Sequence, residues 1–170
     1  TVPYTLRNPI YHWTHLELQR YFDIKELLSP TTARDIYKNT ETLLQGKDFS
    51  VCGLLRKMNI EALCTTDDPI DSLAFHRQIK ESGFEIKVLP AWRPDKAMAV
   101  DDPVTYNQYI DKLIEASGID IKNFNSFIEA LRKRQDFFNE QGCKVSDQGL
   151  ATFFTEPFTE KELKDIFAKI

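Results

Sequence analysis

Ile60-Glu61-Ala62-Leu63-Cys64-Thr65-Thr66-Asp67-Asp68-Pro69-Ile70-Asp71 is the stretch on which the fold turns. Residues 60–64 form a short apolar run with the length and composition of a buried strand. The polar residues that follow demand a turn, and Asp68-Pro69 has the form of a helix start. Asp68 can accept from the first free N–H groups, and Pro69 has no N–H to leave unpaired at the first helical position. Asp71 adds a carboxylate at the positive end of the helix dipole. A strand running through polar residues into a helix is half of a βα unit, and ligands of parallel α/β folds bind at that end of the strand.

Outward from this stretch the pattern repeats. A helix is expected over 69–82 with Gly83 as its stop, and a second strand over 85–89 runs into Pro90-Ala91-Trp92-Arg93-Pro94-Asp95-Lys96. Asp102-Pro103 repeats the helix start. Tyr106, Tyr109, Ile110, Leu113 and Ile114 fill one face up to Gly118, and Phe124, Phe127, Ile128, Leu131 and Phe138 fill that of the next helix up to Gly142. A third strand is expected at 143–145, and Thr159-x-x-Glu162 is a capping box with Leu163, Ile166, Phe167 and Ile170 behind it. Strands joined by helical crossovers must be parallel.

Before residue 60 the signals are helical. Pro3 and Pro9 imply an extended lead-in, residues 10–21 an aromatic helix, and Ser29-Pro30-Thr31-Thr32 a second helix start with Gly46 as its stop. Asp48 is placed to cap a third helix carrying Val51, Leu54, Leu55 and Met58. The expected organisation is a helical cap or insertion over 1–59, then an α/β segment of βαβαβα units over 60–170.

The 170 residues, 42% of them hydrophobic, suffice for one domain with a real core. A net charge of −4 provides no basic field for nucleic acid or for an anionic membrane surface. No apolar run reaches membrane-spanning length and no signal-peptide pattern opens the chain. It begins at Thr1, as an excised or processed piece would. Cys52, Cys64 and Cys143 are odd in number and widely spaced, which argues for a reducing, cytoplasmic setting and against a disulfide framework or a cysteine zinc site.

Chemistry-bearing residues are few. His12 and His15 share a helix face, as metal ligands sometimes do, but no third and fourth ligand accompany them, and packing within an aromatic helix that buries Tyr11 and Trp13 is the simpler reading. His76 reads as a surface or partly buried helix residue. No nucleophile elbow, phosphate loop or dinucleotide fingerprint is present. Asp67 is freer than Asp68 to face a ligand. Arg93 follows a strand in a turn stiffened by Pro94, where a guanidinium suits bidentate recognition of a carboxylate, or else pairs structurally with Asp95 or Asp67. Lys144, Ser146 and Asp147 at the third strand end are candidates of the same kind.

Four runs carry a resemblance. Residues 8–18 (NPIYHWTHLEL), 65–73 (TTDDPIDSL), 88–96 (VLPAWRPDK) and 142–147 (GCKVSD) resemble uronate isomerases, in that family's order and spacing and across nearly the whole chain. The resemblance implies a divergent branch of the amidohydrolase superfamily on a distorted (β/α)8 barrel, interconverting D-glucuronate with D-fructuronate and D-galacturonate with D-tagaturonate in bacterial hexuronate catabolism. The three strands would be the second to fourth of that barrel, and the helical third an insertion after the first. The family's divalent metal, zinc, is held by a His-x-His on the first strand, a His after the fifth and an Asp after the eighth. None of these falls within the chain, so the segment alone is expected to be inactive, with no catalytic residue, metal ligand or cofactor of its own. Of the family's substrate-contacting residues only the Arg of the third-strand turn maps here, onto Arg93, so the substrate-binding candidates are Arg93 and, from the residue reading above, Asp67; Gln148 stands where a His is expected. The partner implied is a uronate sugar, with self-association through exposed sheet edges. The alternative is a non-catalytic helical interaction module on an α/β scaffold; another hydrolase of the superfamily is disfavoured, for want of any hydrolytic specificity pocket.

Overall fold

The computed structural model describes residues 2–150 and 155–169; Thr1 and Ile170 lie outside the described residues. The chain divides into two compact units, Thr1–Ile60 and Glu61–Ile170.

The first unit is helical. Its lead-in is not extended but turns through a 3-10 segment, Val2–Tyr4, because a 3-10 turn at residues 2–4 tolerates the fixed φ of Pro3. Helix α1, Pro9–Phe22, starts on the Asn8 cap with Pro9 at its first position, so this proline opens the helix. Trp13 is 63% exposed and is not a core residue of the unit. Helix α2, Ala33–Leu44, follows the Ser29–Thr32 signal and buries Ile36. Asp48 does not cap α3, Val51–Lys57. Residues Lys47–Phe49 form a 3-10 turn, and the Ser50 hydroxyl, next to the helix, accepts from the Gly53 N–H.

The second unit is built on a parallel pair. β1, Ala62–Cys64, runs beside β2, Lys87–Leu89, with Leu63 opposite Val88. Both are shorter than the runs that announced them, but the pairing continues past them. The Thr65, Asp67 and Arg93 N–H groups donate to the carbonyls of Leu89, Ala91 and Asp67 at 3.0, 3.1 and 3.0 Å. Ala62 and Cys64 are exposed while Leu63 is half-buried, so β1 is covered on one face only.

The strand expected at 143–145 contracts to one parallel bridge, Trp92 with Ser146. The Trp92 N–H donates to Val145 at 3.0 Å and the Asp147 N–H returns to Trp92 at 3.1 Å. Even-numbered residues after β2 turn their N–H towards this segment, odd-numbered ones towards β1. Pro90 and Pro94 have none, so Trp92 is the sole donor on that edge.

The helix expected from Pro69 also begins later. α4 spans Ala74–Glu81, and residues 68–71 form a turn in which the Asp68 carboxylate accepts from the Ile70 N–H and the Asp71 carboxylate from the Asp68 N–H. Arg134 is the reason. Its Nε donates to the Pro69 carbonyl at 2.7 Å and its Nη2 to the Asp71 carbonyl at 2.8 Å, claiming acceptors that a helix would need for its own N–H groups. Leu73, buried and left-handed at φ 54°, then re-aims the chain into α4.

α5, Pro103–Ser117, is capped by Asp102 and ended by Gly118 at φ 66°. α6, Phe124–Glu140, has a capping box at Asn123 and Ser126, and α7, Glu160–Phe167, has the Thr159–Glu162 box. Tyr106, Tyr109, Ile110 and Leu113 of α5 bury against Phe127 and Ala130 of α6, with Phe167 of α7 packed on Phe127. Trp92, Phe138 and Leu73 form a second cluster, Trp92 edge-on to Phe138 at 5.1 Å.

Arg134 is a buried member of this core. Besides the turn carbonyls it donates to Ala116 in the last turn of α5 at 3.1 Å, and it lies over the Phe137 ring at 4.2 Å. Replacing it by Ala strands three carbonyls, at about 3 kcal/mol for lost charge-assisted bonds. Urea unfolding should show this loss for Arg134→Ala and a smaller one for Arg134→Lys; an unchanged midpoint would remove the residue from the framework.

Candidate functional site

Past the C-terminal ends of β1 and β2 the polar residues gather. The Thr65 hydroxyl donates to Asp67 Oδ2 at 2.6 Å and lies 2.7 Å from His76 Nε2, which therefore carries a proton. The same Asp67 oxygen accepts from the Ala91 N–H at 3.2 Å, and Asp67 is 9% exposed. Its carboxylate thus stitches β1 to the turn after β2 instead of standing free. Asp68 receives Lys96 at 3.4 Å. The Tyr109 phenol is pushed up by burial and then by the nearby Asp68 carboxylate.

Arg93 makes the pair that decides its chemistry. Its Nε donates to Asp147 Oδ1 at 3.0 Å and its Nη2 to Asp147 Oδ2, a bidentate fork on the segment beyond the Trp92 bridge. Asp95 lies on the other flank, 4.0 Å from Nε, and accepts from the Gly149 N–H at 2.9 Å. Its second oxygen is buried without a hydrogen-bond partner among the described residues, so the carboxylate relies on Arg93 and Gly149. The fork holds the Asp147 carboxyl below the usual range and raises the guanidinium. Thr66, Asp67, Asp68, Asp71, Arg93, Asp95 and Lys96 line an open cavity of about 300 Å³.

Arg93 and Asp67 are thus brought to one cavity, and their backbones are hydrogen-bonded to each other. The bidentate carboxylate on Arg93 is Asp147, not Asp67, and Asp95 is its lesser partner. Lys144 points elsewhere, to Asn139 at 3.1 Å, and Ser146 belongs to the bridge. Sequence reasoning missed Gly149 and the Thr65–His76 contact. The even spacing of Trp92, Pro94, Asp147 and Gly149 around one bridge was the signal available for Gly149.

In the first unit His15 is already spent. The Leu28 N–H donates to its Nε2 at 2.9 Å, so its Nδ1 carries the proton given to the Tyr11 carbonyl at 2.7 Å. His12 packs edge-on to Tyr11. Among the described residues no group of three or more His, Cys, Asp or Glu could hold a metal ion, and no helix is long and apolar enough to cross a membrane.

These features define an α/β chain of parallel strands whose C-terminal ends open onto a charged cleft. Residues 1–170 match the family model described as glucuronate isomerase. The uronate isomerase of Bacteroides thetaiotaomicron is 55% identical over 170 residues, covering 100% of this chain and 36% of that protein. That of Lachnoclostridium phytofermentans is 49% identical over 99% of this chain and 36% of the relative. The crystal structure of uronate isomerase from Thermotoga maritima superimposes with a TM-score of 0.87 at 38% identity, over 99% of this chain and 37% of that one. The chain belongs to the glucuronate isomerase family, and it spans about a third of the length of these relatives.

The Arg93–Asp147 pair has a pH signature. A carboxyl held low in the folded state stabilises it above the unfolded value, about 3.9 for Asp, and loses that contribution as pH falls through the lower folded value. Melting temperatures from pH 7 down to 2 should therefore fall less in the acid limb for Asp147→Asn than for the parent; identical limbs would mean the pair contributes nothing.

Proposed function

We propose that this chain is an internal portion of a uronate isomerase, a member of the amidohydrolase superfamily that interconverts D-glucuronate with D-fructuronate and D-galacturonate with D-tagaturonate in the bacterial cytoplasm. The observation that carries this reading is the family match over the whole chain, with Arg93 in the turn that follows a parallel strand. On this reading β1, β2 and the Ser146 bridge segment are the second to fourth strands of a (β/α)8 barrel, and the helical unit is an insertion after the first strand. The half-open β1 supports it: Ala62 and Cys64 are small and exposed, as residues on the inside of an incomplete barrel would be.

Arg93 is the residue of this segment that touches substrate, with Asp67 fixing the turn that presents it. An aldose–ketose conversion needs a base near C2 and a stabilised enediolate charge, which other parts of the enzyme, with their divalent metal, supply. The isolated segment is therefore inactive. Purified full-length protein should turn over D-glucuronate or D-galacturonate, while residues 1–170 alone with added Zn²⁺ or Mn²⁺ should match a blank. Turnover by the segment, or none by the full-length protein, refutes the respective half.

Two strands and a bridge taken from a closed sheet leave free edges, which invite pairing. The isolated segment should grow in mass by light scattering as its concentration rises; a monodisperse monomer throughout would show these edges to be blocked.

A further inference from the structure

Arg93 is surrounded by more negative than positive charge. The cavity it lines carries the carboxylates of Asp67, Asp68, Asp71 and Asp95 against the single cations of Arg93 and Lys96. Asp147 adds a further carboxylate, in the fork on Arg93 itself. A second carboxylate arriving here, such as the C6 group of a uronate, would meet a site whose cation is already neutralised. The edge suited to a bidentate anion is also occupied. Asp147 takes Nε and Nη2, which leaves Nη1 as the guanidinium nitrogen outside that fork.

Gly149 bears on how Asp95 is held beside Arg93. Its backbone is not in the left-handed region, where Gly83, Gly118 and Gly142 lie, so nothing in its conformation demands a glycine. The tight approach is to Asp95. A β-carbon at 149 would stand 3.0 Å from Asp95 Oδ2, close enough to push that carboxylate aside, and in ordinary contact with Arg93 Nη1 at 3.9 Å. The bare backbone lets the Gly149 N–H reach Asp95 at 2.9 Å without displacing it from the flank of Arg93.

We infer that Asp147 and Asp95 are positioning residues for Arg93, and that Gly149 leaves Asp95 the room to act as one, so that Arg93 meets the uronate through its remaining Nη1 as a hydrogen-bond donor to a hydroxyl or carbonyl oxygen and not as a net positive charge for the carboxylate. This rests on the reading of Arg93 as a substrate contact in a uronate isomerase. The carboxylate is then recognised by parts of the enzyme outside this cavity, and Arg93 contributes to discrimination among hydroxyl configurations.

The sign of one kinetic change separates the two roles. In the full-length protein Asp147→Asn removes a charge from beside Arg93 and half of its anchor. Were Arg93 an electrostatic seat for the carboxylate, unmasking its charge would lower KM for D-glucuronate. As a positioned donor it loses its aim, and KM should rise about tenfold, with partial recovery in Asp147→Glu. Gly149→Ala should lower kcat/KM by a similar factor with little change in Tm. A lower or unchanged KM in Asp147→Asn, or unchanged kinetics in Gly149→Ala, overturns the inference. A lower Tm with parental kcat/KM in the folded fraction also overturns it, since that marks a structural pair alone. Should Asp147→Asn fail to fold, Gly149→Ala decides. Parent protein that turns over neither uronate would instead bring down the isomerase reading itself.

Discussion

The second unit depends on where one buried guanidinium finds its acceptors. Arg134 sits on the apolar stripe of α6, between Leu131 and Phe138, where a charge is affordable only if its donors are met. It is met by backbone: two carbonyls of the turn after β1 and one at the C-terminal end of α5, where unpaired carbonyls are in surplus. Three elements are thereby fixed to one planar group, which lies over the Phe137 ring with Phe138 further off. Because the acceptors are main-chain atoms, the arrangement constrains conformation directly. The turn at 68–71 cannot wind into a helix while its carbonyls point at Arg134, and Asp67 and Asp68 are held at the mouth of the cleft.

The segment around Asp147 is attached by very little backbone. One bridge at Trp92 is all the ladder that Pro90 and Pro94 permit, so side chains complete the attachment: Asp147 through Arg93, Gly149 through Asp95. These bonds lie at the strand ends, where they also fix the geometry of the cavity. A longer third strand would have held residues 143–149 without calling on Arg93. The same two prolines that shorten the sheet thus draw Arg93 into holding this segment while it also lines the cavity, and the partner that residue spacing left open among Asp95 and Asp67 is Asp147.

What could be read from the sequence follows the range of the interactions. Local signals held at Asp102-Pro103, which starts a helix, at Thr159 and Glu162, which form their box, at Gly118, which ends α5, and along the apolar stripes of α5 and α6, which face one another; Pro9, read as part of an extended lead-in, instead opens α1 on the Asn8 cap. Asp68-Pro69 carries the same signal as Asp102-Pro103 and does not start a helix, because Arg134 is 65 residues away and no local pattern registers it. Its position at 134 on the stripe was visible, but a charged residue there reads as a face boundary until its three acceptors are known. Likewise Arg93 was legible as fixed and its partner was not, since Asp147 lies 54 residues on. The early cap at Asp48 failed for a closer reason: Ser50 stands nearer the helix and is itself a good cap.

One face of β1 is open. Leu63 is half-buried, while Ala62 and Cys64 on the other side of β1 are exposed. A finished two-layer domain would place polar side chains at such positions, and a surface meant for a large apolar partner would place Leu, Ile or Phe. Small apolar residues do neither well. On the reading proposed above, that face turns towards further strands of a barrel, whose side chains would cover it. The charged cluster needs no such cover, because it lies past the strand ends, where Arg93 and Asp147 meet both each other and solvent while Asp67 is buried in hydrogen bonds to the turn beneath them.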